Sequence, residues 1–374
     1  MKLKEICSFQ SGGTPSKSNP AYFNGTIPWI TTVALNGKTI NETDAVEWIT
    51  EQAVSESAAK IVPAYSIMVG TRVGVGKTAI NTFPMSTSQD IISLIGIDES
   101  KWDKGFINKL IQSKSVYLNS QARGATIKGI KIDVLADLSI PDLPKDKQKE
   151  IVTILDNAQC VISKRQHELR SLDNLIKARF VEMFGEPVSN EKGWRTESMN
   201  NVAPAVNSTS KTEGNVWLLN LDMVEAQTGR IIDYLIVPTS EIGNSTCAFD
   251  TSNVLYSKLR PYLNKVVIPD RCGYATSELV PLQPVCSIMN REYFAFMLRS
   301  NEFVKMISDK VAGAKMPRVS MSDFRNFDVP IPPIDLQNQF AAFVAQVDKS
   351  KFVVQKALDK AQLLFDSLMQ KHFG

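Results

Sequence analysis

Gly74-Val75-Gly76-Lys77-Thr78 ends as a nucleotide-binding loop ends, with a lysine and a hydroxyl placed to meet phosphates and magnesium. That chemistry also needs a glycine at position 71, where Thr71 stands, and Gly70 is one residue out of step. The residues that follow, Ala79-Ile80-Asn81-Thr82, do not continue as the helix whose N-terminus must hold the phosphate. The segment therefore reads as a glycine-rich turn between strands, with Arg72 and Lys77 free to meet a DNA backbone. Pro332-Pro333 invites comparison with the Asn/Asp-Pro-Pro-aromatic motif of amino-methyltransferases, but Ile331 before it and Ile334 after it offer nothing to grip an amine. A glycine-rich motif for S-adenosylmethionine is missing too. The two histidines, His167 and His372, both fall in predicted long helices and make no triad or metal cluster. His372, at a helix end, reads as a cation against the C-terminal dipole. Cys7, Cys160, Cys247, Cys272 and Cys286 are odd in number, scattered and free of CxxC spacing, so each reads as a buried free thiol. No nuclease-like cluster of carboxylates stands out. The expectation is a chain without catalysis, cofactor or metal.

What remains is recognition by charge. The net charge of +3, from 42 basic and 39 acidic residues, does not announce a nucleic-acid binder, so any DNA-binding cations must be clustered. Candidates are Lys17, Arg72, Lys77, Arg123 and Lys128 in the first part of the chain. In the second part they are Lys258, Arg260, Lys265, Lys315 and Arg318, and each candidate competes with the reading of a solvated surface charge. Phosphate contacts position a protein on DNA and base-edge contacts specify sequence, so only some of these would alter specificity. Gln89 and Glu278, in the matching triplets Thr87-Ser88-Gln89 and Thr276-Ser277-Glu278, are placed to read different bases. Glutamine suits adenine and glutamate accepts from cytosine, while a structural hydrogen bond at a sheet edge is the competing reading.

The elements that must position these residues come from an internal repeat. Ile140 to Gly185 aligns without a gap on Val329 to Gly374, a shift of 189 residues. Pro141 falls on Pro330, Pro144 on Pro333, Gln148 on Gln337, Phe184 on Phe373 and Gly185 on Gly374. Asp146 and Asp335 are placed as N-caps. Ile151, Leu155, Ala158, Ile162, Arg165, Leu169, Leu172 and Ile176 step by four and three, a coiled-coil seam. Phe340, Val344, Val347, Lys351, Val354, Leu358, Ala361 and Phe365 repeat it, with Arg165 and Lys351 as basic interruptions that either fix register or snorkel to solvent. A helix from Lys147 to Phe184 is roughly 55 Å long and cannot bury its stripe alone. Its simplest partner is its own repeat, antiparallel.

The segments before the helices match more weakly. Trp29 falls on Trp217, the apolar run Ile67 to Gly70 on Val254 to Ser257 with a small gap, and Gly124-Ala125 on Gly313-Ala314. Short β-branched runs between Gly, Pro, Asn and Ser clusters predict strands and turns, with a helix near Gly105 to Leu118 and again near Arg291 to Ile307.

Laid out in this way, the chain resembles the specificity subunit of type I restriction-modification systems over essentially its whole length. The marks are Ser11-Gly12-Gly13-Thr14-Pro15-Ser16-Lys17, Ile27-Pro28-Trp29-Ile30-Thr31, and the entries Pro144 to Gln148 and Pro332-Pro333 to Gln337. The ends Met183-Phe184-Gly185 and His372-Phe373-Gly374 complete them. Asn207-Ser208-Thr209-Ser210-Lys211 departs from the pattern, standing where the first half has its Gly-Gly-Thr-Pro run. The resemblance implies an α+β fold: two mixed α/β target-recognition domains separated by two long antiparallel helices forming a coiled coil, with internal pseudo-two-fold symmetry. The expected parts are recognition domains at 1–143 and 187–332 and spacer helices at 144–186 and 333–374. It also implies a non-catalytic subunit that reads a two-part asymmetric site in double-stranded DNA and docks two DNA adenine methyltransferase subunits, joined by restriction and translocase subunits. The half-sites would lie on successive turns, about 34 Å apart. With no signal-peptide run at Met1 and no apolar stretch of about 20 residues, a cytoplasmic protein is expected. The rival is a coiled-coil scaffold that binds no DNA; a third option, a nucleotide-dependent enzyme, rests on the defective Lys77 loop.

Overall fold

Two glutamines, 189 residues apart in the sequence, show how the repeat is built into structure. A computed structural model describes residues 1–374 except 125, 127, 207–213 and 312–314. The divergent run 207–211 and the Ala125 and Gly313-Ala314 matches lie outside the described residues. Four helices carry the architecture: α1 (Lys104–Ser113), α2 (Lys145–Phe184), α3 (Arg291–Arg299) and α4 (Ile334–Phe373). The two long ones have 40 residues each, about 60 Å at 1.5 Å per residue, and their ends keep the predicted repeat shift. Gln148 and Gln337, one turn into them, are both fully buried. Gln148 Oε1 accepts from the Asp103 amide at 2.9 Å, and its Nε2 donates to the carbonyls of Leu143 at 2.8 Å and Lys101 at 3.1 Å. Gln337 does the same: its Oε1 accepts from the Asn290 amide at 2.8 Å, and its Nε2 donates to Pro332 at 2.8 Å and Ile288 at 3.0 Å. Asp103 and Asn290 are the N-caps of α1 and α3. Each glutamine thus clips the start of a long helix to the start of the domain helix before it, satisfying otherwise buried backbone groups.

The helices begin one residue before the expected caps. Pro144 and Pro333 supply the first carbonyls, accepting from the Gln148 and Gln337 amides at 3.1 and 3.2 Å. Asp146 and Asp335 therefore sit inside the first turn, where they act on the helix dipole instead of capping it. The predicted domain helices are each broken. Lys114 ends α1 before a short helix Ser115–Ser120, and Ser300 ends α3 while its side chain accepts from Phe303 to start Asn301–Asp309. Gly185 closes α2 in the left-handed conformation (φ +74°), its amide donating to Val181 at 2.8 Å.

The chain divides into two units, Met1–Lys164 with Ala357–Gly374, and Arg165–Lys356. Each contains one globular part, the first half of one long helix and the second half of the other. In the first unit, Ile151 and Leu155 share a core with Phe365, Leu368, Met369 and Phe373, and Phe373 packs on Phe106 of α1 at 5.1 Å. In the second, Phe180 packs on Phe340 at 5.5 Å, and Phe184 packs on Tyr293 of α3 at 4.7 Å. Asp173 meets Lys351 at 2.7 Å, so residue numbers rise on one helix as they fall on the other and the pairing is antiparallel. Ile151, Leu155, Ile162 and Ile176 are buried on the predicted seam, as are Phe340, Val344, Val347 and Val354. Of the two basic interruptions, Lys351 crosses to the facing helix, whereas Arg165 pairs within its own helix with Glu168 at 2.6 Å.

Each globular part is mixed α/β, with the apolar runs predicted as strands forming its sheets. The first unit has a five-stranded sheet in the order Ser8–Ser11, Ile91–Ile95, Ile67–Gly70, Thr78–Asn81, Thr39–Ile40. Its four-stranded sheet is ordered Glu47–Ile49, Phe23–Ile30, Met85–Thr87, Ile61–Val62. The second unit has a four-stranded sheet around Asn215–Leu219, a three-stranded sheet centred on Val254–Ser257, and a strand pair Thr196–Ser198 with Asp328–Pro330. Trp29 and Trp217 are both buried on strands that run parallel to a later strand, Met85–Thr87 and Gly273–Thr276 respectively.

The cysteines do not behave as expected. Cys7 is half-buried and burial pushes its thiol up to about 12; Cys247 is half-buried and also raised by burial. Cys160, Cys272 and Cys286 are exposed, which corrects the reading of five buried thiols. His372 is corrected as well: burial, then Lys371 and Lys147, push its pKa below the ordinary value, so it is neutral at pH 7.

Candidate nucleic-acid interface

The glycine-rich segment is a β-hairpin turn. Ile67–Gly70 and Thr78–Asn81 pair antiparallel on either side of it, Gly74 and Gly76 take positive φ (+72° and +80°), and Gly70 donates to the Lys77 carbonyl at 2.8 Å. A strand follows Lys77, so the helix N-terminus required by a nucleotide loop is not there.

This turn is one of several that meet at one end of the first unit. The Thr71 amide donates to the Asp90 carbonyl at 2.8 Å, and Arg72 Nη1 lies 3.8 Å from Asp90 Oδ1. Ile130 donates to the Thr71 carbonyl at 2.8 Å, which seats the small loop closed by the reciprocal hydrogen bonds of Arg123 and Gly129 beside Arg72. Arg72 and Lys77 of the hairpin turn and Arg123 and Lys128 of the small loop, all exposed, thereby stand on two neighbouring turns, with Asp90 beside Arg72. Gln89 is next to them, and its side-chain carbonyl accepts from Thr14. Lys17 is paired with Glu47 at 2.9 Å.

The second unit repeats the construction. Lys258 donates from its amide to the Glu278 carbonyl at 3.0 Å, and Val319 donates to the Lys258 carbonyl at 2.8 Å. Arg260 donates to Pro317 at 2.8 Å with its own backbone in the left-handed region (φ 50°, ψ 66°), a strained conformation for a residue before proline. Arg318 donates to Glu278 through Nη2 at 3.1 Å and Nε at 3.2 Å. These bonds tie Lys258 and Arg318 to Glu278 and Arg260 to the residue before Arg318, and Lys315 stands three residues before Arg318 in the chain. Lys265 is not part of the group: its ammonium donates to the Leu221 carbonyl at 2.8 Å, and burial lowers its pKa against the pull of Asp222.

Strand pairing also corrects the alignment of the two halves. Gly70 pairs with Ile91, and Ser257 pairs with Leu279. The residue before each partner is Asp90 in one unit and Glu278 in the other, so Asp90, not Gln89, is the counterpart of Glu278. Both carboxylates neutralise an arginine of their patch, and both Gln89 and Glu278 make the side-chain bonds of the structural reading. The residues missed from sequence are the partners Asp90, Thr14 and Glu47; each is a common polar residue far from its partner in the chain, and no local signal marks it.

Among the described residues, Lys77, Arg123, Lys128, Lys258, Arg260 and Lys315 have no ion pair. Two groups of cations, exposed except for the half-buried Lys258 and each with one arginine beside a carboxylate, have the makings of phosphate contacts. Among the described residues no group of three or more His, Cys, Asp or Glu could hold a metal, and no helix is long and apolar enough to cross a membrane.

Residues 1–169 and 244–361 match the family described as the type I restriction modification DNA specificity domain. The chain is similar to the MjaIX specificity subunit of Methanocaldococcus jannaschii, at 23% identity covering 99% of this chain and 91% of that one. It is 32% identical over 161 residues to the Escherichia coli EcoR124I/EcoR124II specificity subunit, covering 41% of this chain and 39% of the relative. Its fold is similar to that of the crystallised type I S subunit of M. genitalium, with a TM-score of 0.55 and 15% identity over 100% of this chain and 95% of that one. A chain solved in work on assembly and conformational transition of the type I R-M system gives 0.59, also at 15% identity, over 100% and 96%. The chain therefore belongs to the type I restriction-modification DNA specificity family, and its role is DNA sequence specificity.

Proposed function

We propose that this chain is the non-catalytic, cytoplasmic address of a type I restriction-modification complex and reads a two-part asymmetric target in double-stranded DNA. Residues 1–143 and 187–332 are the recognition domains, and 144–186 and 333–374 the helices that set the unread gap. The observation that supports this is a pair of basic regions: hydrogen-bonded turns set Arg72 and Lys77 beside the loop of Arg123 and Lys128 in one globular part, and Lys258 and Arg260 beside the segment of Lys315 and Arg318 in the other. Cations grouped in this way, all exposed but Lys258, on a chain of nearly balanced charge suit a polyanion held at two places. The patches carry different side chains, Gln89 beside one and the Glu278–Arg318 pair within the other, which suits unlike half-sites. Two DNA adenine methyltransferase subunits supply S-adenosylmethionine and chemistry, and restriction and translocase subunits join them.

DNA affinity of the chain with its methyltransferase, measured against salt concentration, tests this reading. A steep loss of affinity with salt, reduced by about one unit of slope for each phosphate-contacting lysine removed, is expected. A complex whose DNA binding is insensitive to charge removal in both patches would favour the scaffold reading.

A further inference from the structure

In the second unit the seam between the long helices carries charge. Lys351 on α4 meets Asp173 on α2 at 2.7 Å and Asp348 of its own helix at 3.5 Å. Arg299, at the end of α3, donates through Nε to the Val266 carbonyl at 3.1 Å, and burial lowers its pKa to about 10 against the pull of Asp348 and Asp173. The long helices repeat with a shift of 189, and the capped domain helices with a shift of 187, from Asp103 to Asn290. Through these shifts the counterparts of Asp173, Lys351, Asp348 and Arg299 in the first unit are Gln362, Ile162, Gln159 and Gln112. None is charged. Gln112 donates to the Gly37 carbonyl at 2.8 Å and Thr78 Oγ1 at 3.0 Å, an uncharged version of the anchor that Arg299 makes to Val266.

Each unit combines the start of one repeat's long helix with the end of the other's, so exchanging partners changes the residues that meet. If the first repeat paired with a second copy of itself, Asp173 would face Ile162, Gln159 and Gln112, a half-buried carboxylate that has lost both Lys351 and Arg299. If the second repeat paired with itself, Gln362 would replace Asp173 beside Lys351 and Arg299, leaving Asp348 as the one carboxylate for two cations. Only the pairing of unlike repeats gives one unit with two carboxylates and two cations at these four places and another with neutral residues at all four. Removing one partner of a partly buried ion pair is costly, and a polar residue in an apolar seam selects partners for that reason.

We propose that Asp173, Arg299, Asp348 and Lys351 are a partner-choice device that fits the long-helix surface of each repeat to the unlike repeat and against a second copy of its own. A self-paired repeat would present two identical patches about a true two-fold axis and so favour a palindromic target. The charge set keeps one domain of each kind in every assembly. That last consequence rests on the function proposed above; the pairing rule does not.

The test uses the whole chain with a protease site inserted between Glu191 and Lys192, folded first and cut afterwards. Cut protein with an affinity tag at Met1 is mixed with untagged cut protein, carried through urea, refolded and captured, and the captured halves are weighed by mass spectrometry. The tagged half is expected to hold the carboxy-terminal half in at least about tenfold excess over the untagged amino-terminal half, about 1.4 kcal/mol of preference. Replacing the set by its counterparts, Asp173→Gln, Lys351→Ile, Asp348→Gln and Arg299→Gln, should reduce the excess to less than about threefold, half that free energy on the same scale. The charge swap Asp173→Lys with Lys351→Asp should keep it. Wild-type halves that pair without preference, or a neutral variant that keeps the full excess, would overturn the proposal.

Discussion

The two units solve one construction problem with different side chains. In both, a buried glutamine clips a long helix to a domain helix, and the phenylalanine at the far end of the other long helix packs beside the same domain helix. Around that shared frame the first unit uses Lys109, almost buried, paired with Asp156 at 2.9 Å, and neutral glutamines. The second uses an aromatic cluster of Phe180, Phe184, Tyr293, Phe296 and Phe340 beside its charge set. The backbone hydrogen bonds fix where a domain sits on its helix, and the side chains around them are free to diverge and carry the identity of each half.

The largest effect that could break this comparison is at the aromatic ends. Phe184→Ala should cost about 4 kcal/mol in chemical denaturation and Phe373→Ala about 3, because Phe184 touches three other rings and Phe373 one. Equal losses would deny the second unit its aromatic reinforcement. Next come the clips. Gln148→Ala and Gln337→Ala each leave three buried backbone groups without a partner and should lose about 2–3 kcal/mol apiece, nearly equal if the frame is shared.

The patches sharpen the comparison by function. Lys77→Ala and Lys315→Ala should each lower the salt dependence of DNA binding by about one unit, while Lys265→Ala, whose ammonium holds the Leu221 carbonyl, should leave the slope unchanged and lower the melting temperature. Arg260→Gly relieves the left-handed backbone before Pro261 and should gain up to about 1 kcal/mol of stability while weakening DNA binding. The smallest effect is that of His372. Its folded pKa lies below the ordinary value, so its neutral form stabilises the fold above about pH 6.5 and that contribution falls as pH drops toward the folded pKa. A melting curve that weakens between neutral and mildly acidic pH should flatten in His372→Gln.

The long helices were legible because their stripe and their repeat are local periodic signals, good to two residues at each end. Gln148 and Gln337 were legible as a match but not as clips, since their partners Asp103 and Asn290 lie more than ten turns of helix away in sequence. The turns joining strands slip by one or two residues between the halves, so a gap-free match set Gln89 against Glu278, and only strand pairing equates Asp90 with it. Nothing in the sequence sets Asp173 apart from the other carboxylates of the long helices; what distinguishes it is Lys351, which the antiparallel pairing brings opposite. The clustering of the basic residues was a requirement set by the modest net charge, but the turns that gather them come from long-range pairing.

The most direct measurement of the central claim is the map of methylated adenines in cells expressing this chain with the DNA adenine methyltransferase of its system, compared with cells expressing the methyltransferase alone. A motif of two unlike parts with a fixed unread gap, present only with this chain and lost in one part when Lys258, Arg260, Lys315 and Arg318 are replaced, is the predicted result. The same map with and without the chain would contradict it.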